Sequence, residues 1–151
     1  MTNSSSKYAI LIHYSEIALK KNNRPFFERK FIENIRKHLK NLSYSKVRKI
    51  SARVFVEGIK PSDWKIFKTR IKNVMGLKNA ILMIQSDTDI SKMKLAVDIL
   101  IKDCEYDSFR ISSKRHFKGF NKTSQDVNML IGEYVLNNTK KSVNLTSPDL
   151  N

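Results

Sequence analysis

Few residues that could carry covalent chemistry stand where they could act together. Cys104 is the single cysteine, so no intramolecular disulfide, Cys-x-x-Cys zinc site or dithiol pair can form within the chain. His13, His38 and His116 are scattered without ligand spacing, whereas zinc asks for four clustered N, S or O ligands. Gly58, Gly76, Gly119 and Gly132 are too dispersed for a Walker loop or a dinucleotide fingerprint. The serine-rich start also lacks the paired glycines of a pyrophosphatase loop. Glu16, in Tyr14-Ser-Glu-Ile-Ala-Leu-Lys20, could serve as a base, but a lone acid among cations more often orders a basic loop through ion pairs. Covalent transfer needs an activated nucleophile beside a base, and none is legible.

What remains is the chemistry of holding a polyanion. Lys114-Arg-His-Phe-Lys-Gly-Phe-Asn-Lys122 interleaves cations with Phe117 and Phe120, the combination by which unpaired nucleotides are held through phosphate contacts and base stacking. Either phenylalanine could instead belong to a core. Thr123-Ser124 follows as a helix start, where free N–H groups near Ser124 and Gln125 would form an anion site. Asn23 and Arg24, opening an earlier helix, offer a similar arrangement.

The charge of the chain agrees. Its 151 residues carry 29 Lys and Arg against 14 Asp and Glu, a formal +15, which attracts nucleic acid, anionic membrane or an acidic protein. From Ala18 to Arg53 twelve basic residues meet two acids, Glu28 and Glu33; from Asp87 to Asp107 six acids outnumber three lysines; from Arg110 to Lys122 five basic residues meet no acid. Such blocking suggests two basic surfaces separated by an acidic element turned away from the ligand. A uniformly solvated basic face is the plainer alternative. No apolar run approaches the roughly 20 residues that span a bilayer, and the first six residues lack a secretory pattern. The expectation is a cytoplasmic protein with nucleic acid as partner and no membrane contact.

The elements that must position these residues can be read from periodicity. Tyr8 to Tyr14 is a β-branched and aromatic run of strand length. Asn22-Asn-Arg-Pro25 signals a helix start, with Asn able to cap and Pro suited to the first turn. Phe27, Phe31, Ile35, Leu39 and Leu42 then give one apolar face, with Arg29, Lys30, Arg36, Lys37 and Lys40 on others. Two short strands, about Val47 to Ser51 and Arg53 to Glu57, suggest a hairpin that Gly58 and Pro61 interrupt. Ser62 is a candidate cap for a second helix with Trp64, Phe67, Ile71 and Val74 inward, ending before Gly76. Ala80 to Ile84 is an apolar strand. This βαββαβ order over residues 8–85 predicts an antiparallel ferredoxin-like sheet with both helices on one face. Residues 1–7 read as a disordered tail.

The second half, residues 86–151, opens on a cap in Asp87-Thr-Asp-Ile-Ser91 and a helix with Met93, Ala96, Val97, Leu100 and Ile101 on its core stripe. Ser108 to Ser112 alternates as a half-buried strand, Phe109 and Ile111 inward and Arg110 outward. The basic loop leads to a fourth helix bearing Val127, Leu130, Ile131, Tyr134 and Val135, and Val143 to Leu145 starts another strand. A strand so near the last residue, Asn151, wants a partner, which suggests an N-terminal piece of a longer protein; a naturally short protein is the alternative.

These stretches resemble the N-terminal region of the tRNA 4-thiouridine synthetase (tRNA sulfurtransferase) family. Tyr14-Ser-Glu-Ile-Ala-Leu-Lys20 with Asn23-Arg-Pro-Phe-Phe-Glu28 is similar to its opening motif. Lys114-Arg115, Phe120, Thr123-Ser124 and Gly132 match the spacing of its THUMP domain, and Val143-Asn-Leu with Pro148-Asp149 resembles the next segment. Ser15 and Lys21 stand where the family often has glycine, and Asn121 where proline is frequent. The resemblance implies an α+β chain, a ferredoxin-like domain followed by an α/β THUMP domain incomplete at its C-terminal end. It implies tRNA as partner, held by acceptor stem and single-stranded 3′ end so that uridine 8 can be thiolated. It further implies a catalytic domain outside this chain that uses ATP, a sulfur donor, and a homodimer as a possible state. The chain itself would carry no cofactor, no metal and no catalytic residue. RNA contacts carried over are Lys20, Asn23, Arg24, Lys114, Arg115, Lys118 and Ser124. The rival reading is a freestanding THUMP-type adaptor that serves a separate modification enzyme.

Overall fold

The computed structural model describes residues 7–15 and 22–151. Of the tail expected over residues 1–7, residues 1–6 lie outside the described residues, as do Glu16 and Lys20; Lys7 is described, its carbonyl accepting the Gln85 N–H at 2.7 Å. The chain divides into two compact units, Met1–Gln85 and Ser86–Asn151.

The first unit contains β1 (Tyr8–Tyr14), α1 (Arg24–His38), β2 (Lys46–Ile50), β3 (Arg53–Ile59), α2 (Trp64–Ile71) and β4 (Leu77–Ile84). The strands form one antiparallel sheet in the order β2-β3-β1-β4, with β1 and β3 central. Strand alternation sends Ile10, Ile12, Val54 and Val56 to one face, where Phe31, Ile35 and Leu39, and then Phe67 and Ile71 from α2, close a single core. Each of these side chains contributes roughly 1.5–3 kcal/mol by leaving water. The expected ferredoxin-like unit, both helices on one face, is the one observed.

Several local expectations differ from the fold. Asn23 occupies the cap position of α1, but its backbone (φ −103°, ψ 0°) is not extended and its side chain makes no capping bond; capping oxygens reach the first turn from an extended cap residue. Phe27 is 39% exposed and lines a surface hollow with Phe26 and Met75, so the buried stripe of α1 begins only at Phe31. Ser62 does not cap α2: it sits inside a short 3-10 turn, Pro61–Asp63, that precedes the helix.

Gly58 does not end β3. The strand runs on to Ile59 through a bulge, and the register against β1 slips between Tyr8 and Ala9. Gly58 has φ +74°, and a Cβ there would lie 2.7 Å from the Ser45 Cβ. Gly58→Ala therefore meets both a left-handed backbone and a collision. It is expected to cost about 1–3 kcal/mol, measured as a lower urea midpoint; an unchanged midpoint would mean that the bulge relaxes freely.

The second unit contains α3 (Ile90–Ile101), β5 (Ser108–Phe109), α4 (Ser124–Thr139) and β6 (Ser142–Val143). Asp89 caps α3 by accepting the Lys92 N–H at 3.0 Å. Thr123 caps α4 in a reciprocal box with Asp126. The core is small: Tyr106, Phe109, Ile131 and Val135, with Met93, Val97 and Ile101 packed against it. Leu100, assigned to that stripe from spacing, is 44% exposed and is not among the α3 residues packed against the core. The strand expected over Ser108 to Ser112 shrinks to two residues, because the ladder with β6, which is parallel, covers only Ser108 and Phe109. Phe109 points inward as expected, and Arg110 is half-buried, donating to the Leu145 carbonyl at 2.9 Å. Asp149 ties the chain end back by accepting from the Asp107 and Ser108 N–H groups and the Ser108 hydroxyl.

Candidate nucleic-acid interface

In the second unit the loop before α4 is organised by its own cation. The Arg115 N–H donates to the Ser124 hydroxyl at 3.0 Å, and its guanidinium Nη1 lies 3.5 Å from both the Phe120 and Lys122 carbonyl oxygens. Arg115 thus closes the loop as well as charging it. Lys114, His116 and Lys118 remain on the outside. The two phenylalanines divide: Phe120 is partly buried, whereas Phe117 is 68% exposed, its ring lying where a Cβ on residue 119 would stand. Only glycine at 119 leaves that ring its place.

Lys114, Arg115, Phe117, Phe120, Lys122 and Ser124 surround a hollow of about 350 Å³ whose floor includes Met93 and Val127. It combines an apolar base-sized floor with a cationic rim, which is what an unpaired nucleotide requires. The helix start is less open to anions than its sequence implies. The Asp126 carboxylate bonds the Thr123 N–H at 2.7 Å and the Thr123 hydroxyl at 2.8 Å, and these bonds hold its pKa below the usual range. A fixed negative charge therefore stands in the first turn, and the cations carry the attraction.

In the first unit Asn23 is exposed just before α1, and Arg24 opens that helix. Arg24 is not free. Its Nε donates to Glu28 Oε1 at 3.0 Å, the Tyr14 hydroxyl donates to the same oxygen at 2.6 Å, and the Lys49 ammonium pairs with Oε2. Glu28 is 7% exposed. Burial alone would raise its pKa, but the bonds from Lys49, Tyr14 and Arg24 override that and bring it down to about 2. Beside this cluster Tyr14, Phe26, Phe27, Phe31 and Met75 line a second, apolar hollow of about 220 Å³.

Of the expected contacts, the structure brings Lys114, Arg115 and Ser124 together, with Lys118 on the same loop, and keeps Asn23 and Arg24 as a separate group. Lys20 lies outside the described residues. Glu28, Tyr14 and Lys49 were not singled out by spacing. The four-residue step from Arg24 to Glu28 was the available signal, and Lys49 reaches Glu28 only through the tertiary fold. Three acids of the acidic block are used internally: Asp87 pairs with Lys92, Asp107 with Lys141 at 3.6 Å, and Asp98 accepts from the Tyr134 hydroxyl at 2.6 Å. Among the described residues no cluster of His, Cys, Asp or Glu could hold a metal ion. No described helix is long and apolar enough to cross a membrane.

Residues 9–80 match the family described as the ThiI ferredoxin-like domain, and residues 87–151 match the THUMP domain. A probable tRNA sulfurtransferase of Caldanaerobacter subterraneus is 35% identical over 146 residues, covering 95% of this chain and 38% of that protein. Its counterpart in Moorella thermoacetica is 32% identical over 142 residues, covering 93% of this chain and 36% of that protein. The chain thus spans under two fifths of the length of these curated relatives. A crystal structure from Pyrococcus horikoshii superposes with a TM-score of 0.79 at 22% identity, over 94% of this chain and 48% of that one. A 4-thiouridine synthetase in complex with RNA and bound ATP superposes with a TM-score of 0.73 at 23% identity, over 96% and 37%. At such identities the superpositions speak to the fold.

Proposed function

Since the two halves of the chain belong to the ThiI ferredoxin-like and THUMP domain families, we propose that it is the tRNA-binding part of a 4-thiouridine synthetase-like enzyme. It holds the acceptor stem and the single-stranded 3′ end of tRNA in the cytoplasm, so that uridine 8 can be thiolated by a catalytic domain outside these 151 residues. ATP and a sulfur donor serve that domain. The observation that carries the reading is the hollow between Lys114 and Ser124, where cations, an exposed aromatic ring and an apolar floor converge. Rim cations neutralise phosphates, and the floor receives an unstacked base.

Two features of binding follow. Affinity for tRNA falls steeply with salt, since each neutralised phosphate releases counterions. Removal of the terminal CCA weakens binding by about tenfold, the scale of one or two lost stacking contacts. Filter binding of intact and CCA-less tRNA at two salt concentrations measures both. Equal affinity for intact tRNA, truncated tRNA and duplex DNA would reduce the chain to a nonspecific polycation binder.

A further inference from the structure

The ferredoxin-like sheet has a second face, opposite its helices, which the reading above leaves unused. Because Ile10, Ile12, Val47, Val54, Val56, Ala80 and Leu82 pack into or against the core, their neighbours along each strand point the other way. The strand registers align those neighbours in rows across all four strands. One row reads Arg48, Phe55, Leu11, Ile81; the next reads Ile50, Arg53, His13, Asn79. Phe55 stands on a central strand between Arg48 and Leu11, and Ile81 at the edge is 48% exposed.

The charge on this face has one sign in excess. Among the described strand residues on this face the cations are Lys46, Arg48 and Arg53 and the one acid is Glu57, which is buried and paired with Lys46 at 3.4 Å and with Arg48. Glu57 therefore fixes the positions of two cations and presents little negative charge to a ligand. An apolar row would suit a protein segment as well as a nucleobase, so the cations decide. A second copy of this chain, formally +15, would bring like charge against like. A polyanion with flat apolar groups fits both features, and an aromatic ring within a four-stranded sheet is a sequence-tolerant stacking platform for unpaired bases.

We propose that this outer sheet face is a second RNA-binding surface, which takes a short unpaired stretch of RNA with a base stacked on Phe55 and phosphates on Arg48 and Arg53. It is independent of the hollow around Lys114 and does not require that hollow to receive the tRNA 3′ end.

The test uses the 151-residue chain with fluorescein-labelled octauridylate and an RNA duplex of the same length, followed by anisotropy at low salt. Phe55→Leu keeps an apolar side chain and removes the ring; Ile81→Glu places an acid at the exposed end of the row without touching the core. Each is expected to weaken octauridylate binding by about 5- to 20-fold, the scale of one lost stack, with duplex binding reduced less and the melting curve preserved. The same loss should appear in a Lys114→Ala/Arg115→Ala background, and photo-crosslinks should fall within residues 8–14 and 53–59. The proposal is overturned if both variants bind octauridylate as the parent does, or if crosslinks are confined to residues 114–124. It is also overturned if the variants lose self-association instead of RNA binding, which would make the face a contact between copies. Loss of CCA discrimination with Phe55-dependent octauridylate binding intact would sink the 3′-end reading and leave this one standing.

Discussion

Replacing Lys114 and Arg115 together by alanine is expected to weaken tRNA binding by about 10- to 100-fold near 100 mM salt, and to lower the slope of log affinity against log salt by about two. The slope follows from charge, since two fewer phosphates are neutralised. The affinity loss should exceed the charge effect, because Arg115 also holds the loop closed through the carbonyls of Phe120 and Lys122. Lys114→Ala alone should lower the slope by about one and leave the loop intact. Arg115→Lys keeps the charge and should keep the slope; since a single nitrogen, Nη1, meets both carbonyls, an ammonium with three donors can replace it, and affinity should fall only as far as the shorter side chain misses them. Salt titrations of filter binding distinguish these outcomes. A double variant with the parent's affinity and slope would remove this loop from the interface.

The second large effect concerns stability and its dependence on acid. Glu28 accepts from Tyr14, Arg24 and Lys49 while almost wholly buried. Glu28→Ala would leave a phenol and two cations around an empty site. Removing one partner of a buried pair can cost 3–5 kcal/mol; here both cations are about half exposed, so roughly 1–3 kcal/mol is expected after solvent screening. For a unit of this size that lowers Tm by about 4–8 °C per kcal/mol.

The pH dependence of the parent has a definite sign. The carboxyl holds its proton less tightly when folded, at about 2, than at its ordinary 4.5. Its contribution is therefore complete above the ordinary value and drains away as pH falls through the window from 4.5 to about 2. Urea midpoints of the parent should decline across that window, and those of Glu28→Gln should decline less. Parallel curves would show that Glu28 ionises in the folded unit as it does in the unfolded chain. RNA binding by Glu28→Gln at neutral pH is a useful companion, since the same bond orients Arg24, one of the cations expected to reach RNA.

The differences between expectation and fold share a cause. Periodicity reports which side of an element is apolar, and it placed Phe31, Ile35, Phe67 and Ile71 correctly in one core. It cannot report how much of that side finds a partner. Leu100 lies on the stripe of α3 yet stays 44% exposed, while Met93, Val97 and Ile101 of the same stripe pack against the core. Gly58 looked like a strand end because glycine commonly interrupts strands. In the fold it is the bulge that carries β3 onward past Ser45, a neighbour thirteen residues earlier. Polar pairing was the least legible feature: the link from Arg24 to Glu28 is local, but Lys49 reaches that carboxylate across 21 residues.

By itself the amino-acid sequence determined the charge of this protein, the order of its strands and helices, and the cation-and-aromatic composition of the loop from Lys114 to Lys122. These depend on residue types and short spacings, which chain order preserves. The tertiary structure decided which cations are committed to carboxylates, which phenylalanine faces outward, and which side chains of four separate strands stand in one row. Those outcomes depend on distances between residues far apart in the chain, and such distances exist only once the sheet has closed and its register is set.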